Sequence, residues 1–251
     1  MAGHSHSANI ARRKGAVDAK RGKVFSKLAR AIISAARQGG GDPDANLKLR
    51  YAIDKARASN VPKDTIERAI QRGSGSKESD AFEEVIYEGY APGGIALMVA
   101  CLTDNRHRTS PDVKHAFDKH GGNLGSPGSV AFMFQLKSVI AIATAGRDED
   151  QLTELALEVG ADDVEIDGET AVLTAGPTQF IPLKGALEKA AQRILAAELE
   201  YVPSNRVPLA DKEEARKLLK LIDVLEDNDD VQNVYANYDM PAEWLDELTG
   251  A

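Results

Sequence analysis

Residues 138–175 read "SVIAIATAGRDEDQLTELALEVGADDVEIDGETAVLTA", and their changes of period decide the fold. The opening run, 138–144, is apolar and predicts a buried strand. From 149 to 159 the apolar residues recur at three- and four-residue steps, the spacing of a helix face. Two further strands follow near 163–167 and 169–174, turned by Asp167-Gly168, a dipeptide suited to a two-residue hairpin loop. Downstream, a helix over 178–195 and a strand over 198–203 are predicted. Together these elements make a βαββαβ unit, the ferredoxin-like pattern.

Working upstream, "FEEVIYEGY" alternates as a strand, "APGG" turns, and "IALMVACL" is a second, buried strand. "SPDVKHAFDKHGG" predicts a helix capped by Ser110 and stopped by Gly121, and "SVAFMFQL" a third strand. This half-unit lacks a helix and a strand, which a helix over 211–226 and a strand over 231–237 supply. The reading is therefore an α+β domain formed by 80–136 plus 205–251, with a second α+β domain, 137–204, inserted in it. Ahead of both, 1–79 reads as a basic arm and a helical bundle. Its first helix, 16 to about 36, carries Val24, Leu28, Ala31, Ile32 and Ala35 on one face and ends at "GGGDP". A second helix carries Leu49, Ile53 and Ala56 inward, and a third follows Pro62 and closes at Arg72-Gly73. "GSGSKESD" is the hinge. The fold class is α+β, an N-terminal helical bundle followed by two ferredoxin-like domains, one inside the other.

The chain has 251 residues and a formal net charge of -8, unevenly placed. Residues 1–72 hold 16 Lys and Arg against 6 Asp and Glu, and the remainder 15 against 33. The head is thus +10 and the body -18. Because charges separated by more than about 8 Å are screened at physiological salt, the head can attract a polyanion although the pI is near 5.2. The candidate nucleic-acid-binding residues are Arg12, Arg13, Lys14, Lys20, Arg21, Lys23, Lys27 and Arg30, with Arg106 and Arg108 in a later loop. Lys20, Lys23, Lys27 and Arg30 share a helix face roughly opposite the apolar stripe. With no helix-turn-helix signature, zinc-ligand cluster or RRM aromatic motif, backbone contacts should dominate over base readout. Phe25 and Tyr51 are too few for a single-strand stacking platform, whereas structured RNA remains compatible. The acidic body should be repelled by the same polyanion and could instead meet basic protein surfaces.

Other features read as structure. "HGGNLGSPG" has the glycines of a phosphate loop but follows a helix and precedes a strand, the wrong order for aiming N–H groups at phosphate. "TDNRHRTSPD" gathers Asp104 to Thr109 without an identifiable nucleophile and base, so Arg106 and Arg108 are better read as anion contacts than as parts of an enzyme. Cys101, the single cysteine, lies in an apolar run and reads as core. His4 and His6 suggest a metal only if Met1 is removed, and any terminus with His third shares that square-planar donor set. No metal or cofactor is expected. Asp162-Asp163 and Asp229-Asp230 read as solvated turns, and Trp244, Leu245 and Leu248 as a short amphipathic segment packed on the body. The arm is Arg-rich like a mitochondrial transit peptide but runs into helical sequence, so a cytoplasmic location is expected.

Eight stretches carry a resemblance. "MAGHS", "ANI", "DAKRGKVFSKLAR", "GGGDPDAN", "VPKDTIERAI", "YEGYAPGGIAL", "CLTDNRHRT" and "KHGGNLGSPGSVAFMF" are together similar to the YebC family, also called the PmpR or translational activator of cytochrome c oxidase family. They span residues 1 to about 136; beyond that the similarity is weaker, though the order of elements agrees. The resemblance implies a three-domain cytoplasmic protein without known catalytic activity, labelled a transcriptional regulator that binds DNA. It also implies a role in translation, as a ribosome-associated factor that contacts ribosomal RNA and assists proline-rich sequences. One departure stands out. Where members read His-Ser-Lys-Trp-Ala-Asn, this chain has His4-Ser5-His6-Ser7-Ala8-Asn9, so a cation and an aromatic become His6 and Ser7. A protein-binding adaptor working through the acidic body is the other class to be weighed.

Overall fold

The computed structural model describes residues 21–75 and 82–249. Three helices come first: α1 (Arg21–Gly39), α2 (Leu47–Ala58) and α3 (Lys63–Ser74). Leu28, Ile32, Leu49, Ile53, Ala56, Ile66 and Ala69 close a core among them. The α1 to α2 corner is fixed by Asn46. Its side chain accepts from the Leu49 N–H at 3.1 Å and donates at 2.8 Å to the carbonyls of Ala35 and Gly40. One side chain therefore satisfies the orphan groups of two helix ends. Gly73, expected to stop α3, instead lies within it, which runs on to Ser74. A Cβ there would stand 2.5 Å from the Ile33 carbonyl oxygen and 2.7 Å from the Ala36 Cβ, so the glycine permits close packing of α3 on α1.

The chain continues as β1 (Glu83–Tyr90), β2 (Ala96–Thr103), α4 (Arg106–Lys119) and β3 (Asn123–Leu124). It then runs through β4 (Phe134–Ala143), α5 (Glu149–Val159), β5 (Asp163–Asp167), β6 (Thr170–Ala175), α6 (Phe180–Lys189) and β7 (Ile194–Pro203). It returns by β8 (Val207–Pro208), α7 (Lys212–Asp227), β9 (Val231–Ala236), β10 (Tyr238–Asp239) and α8 (Ala242–Thr249). Two four-stranded antiparallel sheets result, ordered β3-β1-β2-β9 and β5-β6-β4-β7. The second has the spatial order of the βαββαβ pattern. The first reaches the same arrangement by another path, because its inner strand β1 precedes the split βαβ unit formed by β2, α4 and β3.

Alternation along each strand separates two faces. In the first sheet Leu97, Val99, Cys101, Val234 and Ala236 meet α4 and α7 through Val113, Phe117, Leu218 and Ile222. Trp244 and Leu248 pack against the same core, as expected for the C-terminal segment. On the opposite face Ala96, Met98 and Tyr235 meet Val130 and Phe134. In the second sheet Ile140, Ile142, Ala171 and Leu173 take α5 and α6.

Three element boundaries differ from expectation. α4 starts at Arg106, not after Ser110, because the Asn105 side chain accepts the Arg108 N–H and caps the helix a turn earlier. "SVAFMFQL" is not a strand of its own. Residues 131–133 form a 3-10 turn, and β4 then runs unbroken through Lys137-Ser138, where no turn residue interrupts it. The helix predicted over 178–195 ends at Lys189. Ala191 adopts a left-handed φ of 51°, the Gln192 N–H returns to the Leu187 carbonyl at 2.9 Å, and pairing of Ile194 to Pro203 with β4 overrides the alanine-rich helix signal.

Candidate nucleic-acid interface

Arg12, Arg13, Lys14 and Lys20 lie outside the described residues, as do His4, His6 and Ser7. Arg21 opens α1. The other three candidate cations of α1, Lys23, Lys27 and Arg30, lie along one side of the helix and meet the body. Lys23 Nζ stands 2.9 Å from Asp227 Oδ2 and 3.2 Å from the Asp227 carbonyl. Lys27 Nζ donates to the Glu226 carbonyl at 2.5 Å. Arg30 Nη1 donates to the Asp229 carbonyl at 3.1 Å and to Asp230 Oδ1 at 2.9 Å, its guanidinium 5.9 Å from the Phe82 ring centre.

The chemistry of α7 explains the contact. Its last turn, Val224 to Asp227, carries no cation, although the carbonyl end of a helix is the negative end of its dipole. α1 supplies the missing positive charge from another part of the chain. Burial lowers the Lys27 pKa, opposed by Glu226, Asp229 and Asp227. The basic face of α1 is therefore where head and body meet.

Asp230 organises the junction. Expected as a solvated turn, it is 3% exposed. Its carboxylate accepts from Arg30, from Arg108 Nη2 at 2.7 Å, from Thr109 Oγ1 at 2.8 Å and from Thr103 Oγ1 at 3.2 Å. Its carbonyl accepts the Leu102 N–H at 2.7 Å and its N–H donates to Asn228 Oδ1 at 2.8 Å. Burial alone would raise this carboxyl, but the hydrogen bonds from Arg108, Thr109 and Thr103 and the Arg108 charge hold it below the usual range. Arg108 also reaches Asp104 Oδ1 at 2.8 Å, whereas Arg106 is 61% exposed and 3.8 Å from Glu83 Oε2. Lys23, Lys27, Arg30 and Arg108 therefore converge on residues 226–230, while Arg106 stands at the rim.

A second junction was not legible in the sequence. Lys55 of α2 pairs with Glu198 of β7 at 2.9 Å, and the Leu199 N–H donates to the Tyr51 hydroxyl at 2.9 Å. Tyr51 also meets Phe180 edge-on, with ring centres 5.1 Å apart. Burial pulls the Lys55 ammonium down, and the Glu198 carboxylate and Tyr51 more than reverse it, leaving it above its ordinary value. Lysine and glutamate 143 positions apart give no local signal of pairing.

Both enzyme-like stretches are held by contacts within the chain. Glu88, 6% exposed, accepts the N–H groups of Gly128, Val130 and Ala131 at 2.7, 2.8 and 2.7 Å, so the anion position of the "GNLGSPGSV" loop is filled from within the chain. Burial would raise that carboxyl, but the three N–H groups hold it below its usual range. In the Asp104 to Thr109 loop, Arg108 and Thr109 serve Asp230 and His107 faces solvent. Cys101 is core: burial pushes its thiol up to about 12. Among the described residues no group of three or more His, Cys, Asp or Glu side chains is placed to hold a metal ion, and no helix is long and apolar enough to cross a membrane.

Comparison with known proteins places this geometry in a family. A chain from Rubrobacter xylanophilus named "Probable transcriptional regulatory protein" is 50% identical over 251 residues, the full length of both. One of similar name from Photorhabdus laumondii is 56% identical over 94% of this chain and 96% of its own. The crystal structure of a conserved hypothetical protein from Aquifex aeolicus superposes with a TM-score of 0.82 at 47% identity, covering 90% of this chain and 93% of that one. Residues 5–76 match the family description "TACO1/YebC protein N-terminal domain" and residues 82–238 match "TACO1/YebC second and third domain", so the chain belongs to the TACO1/YebC family.

Proposed function

We propose that this protein is a cytoplasmic, non-enzymatic regulator of gene expression that binds DNA by its phosphate backbone through the basic head. The observation that carries the reading is the division of charge, +10 over residues 1–72 against -18 beyond. The relatives' printed name, a transcriptional regulatory protein, supports the regulatory class. The arm cations Arg12, Arg13, Lys14, Lys20 and Arg21 make the first contacts. Lys23, Lys27 and Arg30 along α1, with Arg106 and Arg108 of α4, extend the track. If about six to ten phosphates are engaged, affinity falls roughly 10³ to 10⁵-fold between 50 and 200 mM salt.

A ribosomal RNA partner is the second reading, favoured by the lack of any base-reading motif and by an acidic body suited to basic ribosomal proteins. The deciding experiment crosslinks the protein to nucleic acid in cells and sequences what is attached, with an Arg12, Arg13, Lys14 and Lys20 to Glu variant as control. Promoter DNA lost in the variant supports the transcriptional reading. Ribosomal RNA lost in the variant replaces it with a ribosome-associated translation factor. Full activity of the variant without nucleic acid overturns both in favour of a protein-binding adaptor.

A further inference from the structure

The stretch that receives α1, Glu226-Asp227-Asn228-Asp229-Asp230, has four acidic residues in five and offers α1 the carbonyls of Glu226, Asp227 and Asp229 and the carboxylates of Asp227 and Asp230. The cations facing it, Lys23, Lys27 and Arg30, follow one another at four- and three-residue steps along a single helix side. Cations at that spacing, each meeting a carbonyl or carboxylate oxygen, could equally be met by the successive oxygens of a phosphate backbone. We infer that the acidic end of α7 is an internal substitute for nucleic acid, so that docking of α1 on the body and engagement of a phosphate backbone by Lys23, Lys27 and Arg30 exclude one another. The inference rests on the nucleic-acid reading above and adds regulation to it.

Two features make the contact releasable. It is polar: Lys23, Lys27 and Arg30 hold residues 226–230 through hydrogen bonds and ion pairs. Its outer pair is also accessible to solvent, Lys23 and Asp227 being 48% and 51% exposed, so salt and a competing polyanion reach it directly. Because α1, α2 and α3 share one core, α1 leaves the acidic stretch only as the whole head turns about the separate contact of Lys55 and Tyr51 with β7. The protein thereby carries its own competitor. Binding-competent molecules are those with the contact open, and the measured affinity is reduced by the fraction that is closed.

The Lys23 and Asp227 pair is close enough for zero-length carbodiimide coupling, which joins ammonium and carboxyl groups already in contact. The exposed Lys212 and Glu247 pair, at 2.6 Å, serves as a reference within the body. Full-length protein is coupled with and without a 20-base-pair DNA duplex or an RNA hairpin, both lacking 5′-phosphates. The two joined peptides are quantified by mass spectrometry, and binding is measured in parallel. At saturation, coupling of Lys23 to Asp227 should fall about tenfold relative to the reference pair, the scale of a modest population shift. Asp227→Asn should tighten binding several-fold more than Glu154→Gln, which removes an exposed acidic charge on α5 away from the contact. Tight binding with undiminished coupling, or equal effects of the two substitutions, overturns the inference and leaves the nucleic-acid reading standing. Failure of both probes to bind overturns the two together.

Discussion

Replacing Asp230 by alanine should cost about 3 kcal/mol of stability, and the figure follows from its four side-chain donors. Thr103 and Thr109 lose least. Thr109 Oγ1 can turn its proton to the Asn105 carbonyl at 3.0 Å or to Thr103 Oγ1 at 2.7 Å, and Thr103 Oγ1 still accepts the Asn105 N–H. Arg108, 48% exposed, keeps Asp104 and regains water; Arg30, 26% exposed, recovers less. The loss is therefore dominated by two charge-assisted bonds, each worth roughly 1.5–3 kcal/mol and discounted for exposure. Urea unfolding followed by the fluorescence of Trp244, the only tryptophan, reports on the core that Asp230 borders. In a chain of this size the loss corresponds to a melting-temperature shift of roughly 6–12 °C. Asp230→Asn should cost nearly as much, since its amide aims a donor at Arg108 or Thr109. The pH dependence has a defined sign. A carboxyl held below its unfolded value stabilises the fold above the ordinary Asp pKa near 3.9, and that contribution disappears as pH falls through the lower folded value. Asp230→Ala should flatten this acid limb. A loss under about 1 kcal/mol, the scale of an exposed ion pair, would refute the assignment of Asp230 as the hub.

Glu88→Gln should cost about 2 kcal/mol and accelerate hydrogen exchange at Gly128, Val130 and Ala131, whose N–H groups lose their shared carboxylate; unchanged exchange would contradict the geometry. Gly73→Ala should destabilise the head by about 1–3 kcal/mol, because the new methyl meets the Ile33 carbonyl at 2.5 Å and must push α1 from α3. Circular dichroism of the full chain during thermal unfolding would register the shift. Lys55→Met should cost about 3 kcal/mol, leaving Glu198 buried without its cation, and Glu198→Leu in the same chain should return at least half of that. A double variant no more stable than Lys55→Met would show that packing of the lysine stem, not its charge, holds α2 to β7.

Local chemistry made most of the fold legible. The hairpin of β5 and β6 formed beside Asp167-Gly168, its loop residues being Gly168 and Glu169, one place later than expected, and the period change at Glu149 located α5. The errors fell where distant residues decide. Ala190 to Gln192 are good helix formers, yet the strand partners supplied by β4 claim the residues that follow. The basic face of α1 was legible as a face, but its occupant was not, since nothing near Lys23 in sequence announces Asp227 two hundred positions later. Asp230 shows the same limit: an Asp-Asp pair in a turn gives no sign that two arginines and two threonines converge on it.

The order of strands in the first sheet also sets a timetable for synthesis. β2 pairs on one side with β1, made moments earlier, but on the other with β9, where Leu97 faces Ala236. At about 5–20 residues per second, that second edge stays open for on the order of ten seconds after β2 has emerged. The strand left waiting, "ALMVACLT", has no charge and no proline, the composition that recruits foreign strands. A message truncated before Val231 would deliver this edge with no partner at all, so damaged transcripts of this protein should yield aggregates rather than soluble fragments.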